Sequence, residues 1–535
     1  MGRRCLVWVV AIALLGVLAS GLFWTRVGAQ AEQARRAVII VIDACRPDYL
    51  QLGPMPAIEA LARQGVSYRR AWVGHLINNT PPGHLTIASG CLPRTTGVVG
   101  FSWRDPETRQ QVNPTAWEPV VSGEYAQLIA RSGVPTIAGV LKQARPEAVA
   151  AAVGSVKFYA VASMGANTAD YIVFTPHAAA QGAVSGIEAG ATPQAAGLRP
   201  EDMGVRGHLP PVEALEALEN APSEVKQDQD TAAMEMALAL VRAKRPDLLM
   251  INLAATDGAG HQSGGITAPE RMREVVQNAD AQIGRLVALY KELGIYDDTV
   301  WVVTADHGMI PDLNTIPPAV ATMAVRQSGL PVEGKAGRPA PPHIWLSDPS
   351  RAQEVAEAIA AQHIPDVHAV FYKVKEGNDY RFRLARPVGP WVLPAVIKAF
   401  RVLANAYACA NGPDVSVFSA ENTLWAAKPA APGTRGRHNT ATWGTQHIPL
   451  IVAGPGLRRG VESAYPARLC DVAPTVLAAL GLRAQGMDGV VLADAFQSAP
   501  NAAVEAQKAE ERELSPPVEA LYAQSQADIE WLGRR

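Results

Sequence analysis

An excess of charge of either sign is missing from this chain. Its 48 lysines and arginines nearly balance 50 aspartates and glutamates, leaving a formal net charge of −2 over 535 residues. A dedicated nucleic-acid binder usually carries a basic stripe, so that class is set aside. Long apolar runs are scarce too. The run from Cys5 to Trp24 is the one long enough to matter for a membrane, which excludes a protein that crosses the bilayer many times. No repeat of solenoid length is present. With 48% apolar residues, the composition is that of a globular chain and not of a disordered one. Cysteine is sparse, five in all. Cys5 belongs to the N-terminal run and lies too early for a lipoprotein attachment site. Cys45, Cys91, Cys409 and Cys470 are too scattered for a zinc knuckle. They read equally well as disulfide partners of unknown pairing or as buried thiols.

What is present begins with a leader. Arg3 and Arg4 precede the apolar run, and Ala29-Gln30-Ala31 follows it as a small-residue cleavage pattern. Residues 1–31 therefore read as a signal peptide, with an uncleaved single-span anchor as the alternative. In both cases the arginines stay inside and the bulk of the protein is exported, to the periplasm or the exterior.

Beyond the leader, Val- and Ile-rich runs at 37–42, 248–253, 299–304 and 448–452 read as buried parallel strands. Helical stretches such as 231–243 and 271–293 alternate with them. The expected fold class is α/β: an α/β/α sandwich with a mainly parallel central sheet. Two stretches break the alternation, at about 165–223 and 311–432, and read as insertions into a unit spanning 37–496. The second contains a small αβ unit, with strands near 343–346 and 369–374 and a helix over 351–362. Residues 497–535 form a polar tail, expected to be a peripheral helix with a break at Pro516-Pro517.

The chemistry-bearing residues sit just past the strands. Asp43 ends VIIVIDAC. Asp257 and His261 lie in MINLAATDGAGH, four apart and so on one face of a helical turn. Asp306 and His307 end VWVVTADHG, where Gly308 would permit a sharp turn. In open α/β sheets the ligand crevice forms at the C-terminal strand edge, so these groups can converge. A buried, unpaired carboxylate is costly. A cation would relieve Asp43, and a local pair with Arg46 is the bland alternative. Carboxylate plus imidazole ligation suits zinc best, with manganese or iron open. Two such ions roughly 4 Å apart would clamp the attacking and leaving oxygens of an in-line displacement. Thr80, in NNTPPGH, is a poor nucleophile unless a metal lowers its pKa. Alone, a Thr-Pro pair is a turn.

In this order the motifs resemble the alkaline phosphatase superfamily, and within it the type I phosphodiesterase/nucleotide pyrophosphatase branch and its bacterial phosphatase relatives. The resemblance is carried by VIIVIDACRPDYL, NNTPPGHLTIASGCLPRTTGV, INLAATDGAGH, VVTADHGM, GRHNTATWGTQHIPLIVAGPG and CDVAPTVLAALGL. It implies one divalent ion on Asp43, Thr80, Asp306 and His307, and another on Asp257, His261 and His438. It also implies that Thr80 attacks phosphorus to form a phosphothreonine. The second ion would stabilise the leaving oxygen and then activate water. His438 is preferred to His447 as the last ligand because the family's ligand usually precedes the following strand by about ten residues, although Asn439 replaces the glycine that often follows it.

The departures bear on substrate. A sulfatase would need Cys-x-Pro-x-Arg where this chain has Thr80-Pro81-Pro82-Gly83-His84. Phosphoethanolamine transferases also use threonine but resemble multi-span membrane proteins. Relatives typically carry a phosphate-binding asparagine where this chain reads TGVVGFSWRD. Phe101 is nearest, and Ser102 or Trp103 could substitute. The Lys-x-Arg pair with which some bacterial monoesterases grip a dianionic phosphate is matched by Lys157 and Tyr159. Losing the guanidinium weakens recognition of a doubly charged group and tilts the expectation towards diesters. The expected partner is a small phosphate ester or nucleotide, and the membrane enters only through the possible anchor. A phosphomonoesterase and a non-catalytic metal-binding member remain as alternatives. His177 and Trp103 are candidate pocket residues.

Overall fold

The computed structural model describes residues 33–175, 203–209, 211–327, 329, 342–427, 431–483 and 485–534. The leader, the core of the first expected insertion and His177 lie outside them. Among the described residues, no helix is long and apolar enough to cross a membrane.

An eight-stranded sheet organises the molecule. Its strands are β1 (Arg36–Ile42), β2 (Gly65–Tyr68), β3 (Ala150–Val153), β4 (Tyr171–Val173), β5 (Leu248–Leu253), β6 (Thr299–Thr304), β7 (Leu450–Ala453) and β8 (Val461–Ser463). Their order is β8-β2-β7-β6-β1-β5-β3-β4. Neighbours run parallel except at β7, which is antiparallel to both β6 and β2. The expectation of a parallel strand at 448–452 is corrected here. Apolar runs do not distinguish strand direction when both faces are buried. β1, β5 and β6 are buried almost throughout, with helices Gln229–Lys244 and Pro269–Glu292 among the connections. The central position of β1, between β5 and β6, places the C-terminal ends of three parallel strands side by side.

A second sheet of four antiparallel strands, ordered His343–Ile344, Val415–Ser419, Val367–Glu376 and Asp379–Leu384, packs on helix Ala352–Ala360 around its own apolar cluster. Cys45, Cys91, Cys409 and Cys470 are free thiols, all but Cys409 fully buried.

The C-terminal helix, Asn501–Leu532, runs through Pro516-Pro517 without ending. The expected break does not occur. Leu514, Val518 and Leu521 join the main core, and that packing outweighs the backbone hydrogen bonds the prolines remove. The helix also carries polar anchors. Glu510 pairs with Arg468, and Ser525 donates to Glu421. Asp528, buried, accepts from Gln524 and from the backbone N–H of Glu421 and lies 2.9 Å from His368 Nε2. Truncating Asp528 strands these partners in the interior. Asp528→Ala is expected to destabilise the protein by about 2–4 kcal/mol. Urea denaturation checks this, and a loss under about 0.5 kcal/mol, the scale of an ordinary surface change, would show the anchor to be idle.

Candidate active site

Asp43 follows β1 directly, and its backbone N–H donates to Leu253 O at the end of β5. Asp306 and His307 follow β6. Asp257 and His261 lie on one face of helix Ala255–Ser263, which follows β5, with His261 Nε2 3.3 Å from Asp257 Oδ1. His438 enters from the segment before β7, its Nε2 3.7 Å from the same oxygen. Carboxylate and imidazole atoms of Asp43, Asp306 and His307 lie within 4.8 Å of one another, and so do those of Asp257, His307 and His438. His307 stands between the two groups, its ring stacked on that of His438 at 3.9 Å.

Each of these three histidines has a ring nitrogen committed to the backbone. Nδ1 of His261 bonds Gly436 O at 2.8 Å, that of His438 bonds Asn78 O at 2.8 Å, and that of His307 bonds Gly308 O at 3.0 Å. A carbonyl accepts, so Nδ1 carries the proton and the Nε2 lone pair faces inward. That tautomer is assigned from the bonds. Inside, the lone pairs meet carboxylates: Asp257 Oδ1 and His307 Nε2 are buried without a hydrogen-bond partner. Lone pair against carboxylate is repulsive unless a cation lies between. The donor set therefore fits divalent metal ions on chemical grounds.

Electrostatics agree. Burial, with Asp306 nearby, raises the Asp43 pKa despite the opposing pull of Lys157. Burial works the same way on Asp257, but His261, Lys157 and His438 overcome it and hold its pKa well below the usual range. Asp306 is likewise held low, mainly by His307 and His84, against the effect of its burial. Burial and the neighbouring His307 keep the His438 pKa well below its usual value.

Lys157 and Tyr159 also reach this site. Lys157 Nζ bridges Asp43 Oδ1 (2.8 Å) and Asp257 Oδ2 (2.7 Å). Tyr159, on helix Phe158–Gly165, packs edge-on to Phe101 at 4.9 Å. Burial raises its pKa, which Lys157 partly offsets.

Thr80 opens helix Thr80–Ser89, with Pro81 and Pro82 preset for the first turn. A Cβ on Gly83 would lie 2.9 Å from Asp306 Cβ and 3.0 Å from its carbonyl oxygen, so the missing side chain brings this helix start against the Asp306 loop. Gly308 works similarly. Its role is not a special turn angle, as the sequence suggested, but a close approach: a Cβ there would meet Gly444 O at 2.3 Å.

Other expectations fall elsewhere. Arg46 pairs with Asp48 and not with Asp43. His447 bonds Arg69 O and stacks on Trp443. Trp103 is packed in the core on a short strand.

Sequence reasoning missed four residues. Asn252 Nδ2 donates to Asp43 Oδ2 at 3.0 Å and lies 2.9 Å from His84 Nε2. His84 Nδ1 bonds Thr80 O at 2.9 Å and lies 3.3 Å from Asp306 Oδ2. Burial opposes charging of His84, but Asp306 outweighs it and raises the pKa. Asn78 accepts from the backbone N–H of Asn439 through Oδ1 as well as from His438. Asn79 caps the Thr80 helix by position only, and its amide nitrogen lies 3.7 Å from where a Cβ of Gly100 would sit. For Asn252 a signal existed: it is the polar residue inside an otherwise apolar buried strand, and such a group needs a partner. Backbone strain marks the same places. Ala44 and Asn439, which follow Asp43 and His438, both have positive φ (57° and 69°).

A sheet with acids and imidazoles at this edge belongs to the alkaline-phosphatase-like α/β class. The family model for type I phosphodiesterase/nucleotide pyrophosphatase matches residues 37–393, more than half of the chain, and the chain belongs to that family. It is 24% identical over 485 residues to alkaline phosphatase PhoK of Sphingomonas sp, covering 79% of this chain and 84% of the relative. It is 25% identical over 283 residues to alkaline phosphatase PhoD of Zymomonas mobilis, 46% of this chain and 48% of that one. Among solved structures, alkaline phosphatase PafA aligns with a TM-score of 0.61 at 16% identity, covering 88% of this chain and 100% of that one. Murine ectonucleotide pyrophosphatase/phosphodiesterase 5 aligns at 0.55 and 15%, covering 85% and 97%. The protein is a hydrolase of phosphate esters in this superfamily, whose members are metal-dependent.

Gly83→Ala is a direct test of the helix approach. A methyl group there forces the start of the Thr80 helix off Asp306, while Ala itself favours helix. The protein is expected to lose about 1–3 kcal/mol of stability to overpacking and kcat/KM to fall about a hundredfold. Parent-level turnover would show that the contact does not set the site.

Proposed function

We propose that the protein is an exported, two-metal phosphodiesterase of the nucleotide pyrophosphatase type that acts through Thr80. The observation that carries this reading is the paired cluster in which buried carboxylates face inward-pointing imidazole nitrogens, a donor set that divalent cations would satisfy. Asp43, Asp306 and His307 with Thr80 would hold one ion; Asp257, His261 and His438 would hold the other. Zinc fits the ligands best. Bound there, such ions would lower the pKa of the hydroxyl and neutralise charge on the transferring oxygens.

The chain's own groups do the rest. Thr80 Oγ1 attacks phosphorus as the bond to the leaving oxygen breaks, and water then cleaves the phosphothreonine. His84 and Asn252 orient Asp306 and Asp43. Lys157, with no arginine two residues on, offers one positive charge to the phosphoryl oxygens. Asn79 offers an amide where TGVVGFSWRD lacks one. One cation and a neutral tyrosine suit a singly charged diester better than a dianionic monoester. A structural neighbour, the murine enzyme named above, has been solved as an inactive threonine-to-alanine variant in complex with AMP, which supports a nucleotide-sized substrate. The catalytic unit would span 37–496, with the insertions at about 165–223 and 311–432 shaping specificity. Residues 1–31 would direct export or anchor the protein, and the 497–535 tail would brace the unit.

A phosphomonoesterase is the second reading, favoured by the alkaline phosphatase relatives. Paired aryl monoester and diester phosphates separate the two, and the diester is expected to show the larger kcat/KM. Thr80→Ala should lower turnover by at least about a thousandfold, and chelation should abolish it. Elemental analysis should return about two transition-metal ions per chain. Parent-rate turnover by the alanine variant would end the covalent reading.

A further inference from the structure

His438 is one of the residues that line a cavity of about 230 Å³. Pocket volumes for whole ligands run from ~300 to ~1,000 Å³, so this one suits a portion of a substrate. One wall is Trp425, which ends strand Thr423–Trp425 and whose indole N–H donates to Ser419 Oγ at 2.9 Å. That bond and its packing against the apolar cluster of the second sheet hold the ring in place. The other wall carries Arg435 and Arg437, two apart on the segment that leads into His438. Both are exposed, and neither is within ion-pair distance of an acid among the described residues. Asp312 also lines the cavity, but it is buried and accepts from Thr315 Oγ1 at 3.0 Å. Asn439 Oδ1 is buried there without a partner, on a residue with φ +69°.

The segment is held rigidly. A Cβ on Gly436 would meet Gly260 O at 2.5 Å, so glycine lets this strand lie on the helix carrying Asp257 and His261. Arg435 O accepts from the N–H of Asp312 at 2.8 Å. The guanidinium groups are therefore presented from a fixed backbone beside the imidazole assigned to the leaving-oxygen side.

We propose that this cavity is the leaving-group subsite and that it selects leaving groups that combine a flat ring with an anionic group of their own. The ring stacks on Trp425, and Arg435 and Arg437 take the anion. This rests on the reading above only in placing the leaving oxygen on the Asp257–His261–His438 side. The shared chemistry, ring plus anion, is met both by a nucleotide and by a simple aryl acid.

The test uses the metal-loaded full chain and leaving groups differing in charge: 4-carboxyphenyl against 4-carbamoylphenyl, each as the monoester and as the methyl diester. The quantity read is the kcat/KM ratio, charged over neutral, in the parent divided by that in Arg435→Gln/Arg437→Gln, so that intrinsic reactivity cancels. The expected fall is about tenfold. Trp425→Leu should lower kcat/KM for aryl relative to alkyl leaving groups. Should that variant not fold, the double arginine variant, altered only at exposed positions, still decides. AMP, read against inorganic phosphate so that binding at the metal site cancels, and 4-hydroxybenzoate serve as inhibitors. Weakening of AMP alone in the double variant assigns the nucleotide source, and weakening of 4-hydroxybenzoate alone the aryl acid. An unchanged ratio, an equal fall for charged and neutral substrates, or no inhibition of the parent by either compound overturns the subsite. A monoesterase preference would sink the diesterase reading and leave the ratio interpretable in the monoester series.

Discussion

Burying carboxylates at the end of a dry sheet is the constraint on which the rest depends. Asp43 and Asp306 are fully buried and Asp257 nearly so. A single ammonium, Lys157, reaches two of them. An uncompensated ionised carboxylate in such surroundings would cost more than a typical domain's whole margin of stability. The fold therefore tolerates this edge only where cations compensate the acids or, as the raised pKa of Asp43 allows, a proton does. The parallel strands β1, β5 and β6 are the means of bringing the acids together, because their ends coincide although β1 lies far from the other two in sequence.

The imidazoles show how the backbone prepares the site before anything binds. Gly308, Gly436 and Asn78 each offer a carbonyl to one Nδ1. Each bond fixes a ring's plane and tautomer together, which raises its value as a ligand and removes a rotamer from the unbound state. Two of these carbonyls belong to glycines at which a Cβ would collide with backbone. The same absence of a side chain thus sets both the strand approach and the ligand orientation. Strain at Ala44 and Asn439 fits this picture: surrounding contacts hold backbone angles that these residues would otherwise avoid.

Much of this was legible in the sequence for a definite reason. β1, β5 and β6 are strongly apolar and end in acids, so both the strands and the edge could be read from residues 37–43, 248–257 and 299–307. The i, i+4 pair of Asp257 and His261 declared its helix. What could not be read was whatever depends on direction or on distant partners. The antiparallel course of β7 leaves no trace in a buried apolar run. The C-terminal helix survives two prolines because of contacts with Arg468, Glu421 and His368, which lie far off in sequence. His84 and Asn78 gave no signal of their own because their roles consist of holding other side chains. Asn252 alone carried a local warning, a polar side chain in an apolar strand.

The position of Lys157 joins the two levels of argument. Its ammonium lies on Asp43 and Asp257, one carboxylate from each of the two ligand groups. A side chain placed there cannot remain centred on both acids once divalent charge occupies the clusters, since like charges at such separations repel strongly in a low dielectric. The nearest negative charge left for it would be the substrate's phosphoryl oxygens. The two acids would then pass from Lys157 to the metals, and the lysine would turn to the ester. Its neighbour two residues on is Tyr159, packed against Phe101, so no second fixed charge shares that task. Recognition of the phosphoryl group would rest on one cation, while Arg435 and Arg437 line a cavity with His438. Such a division would place weak discrimination at the phosphorus and stronger discrimination at the group that departs.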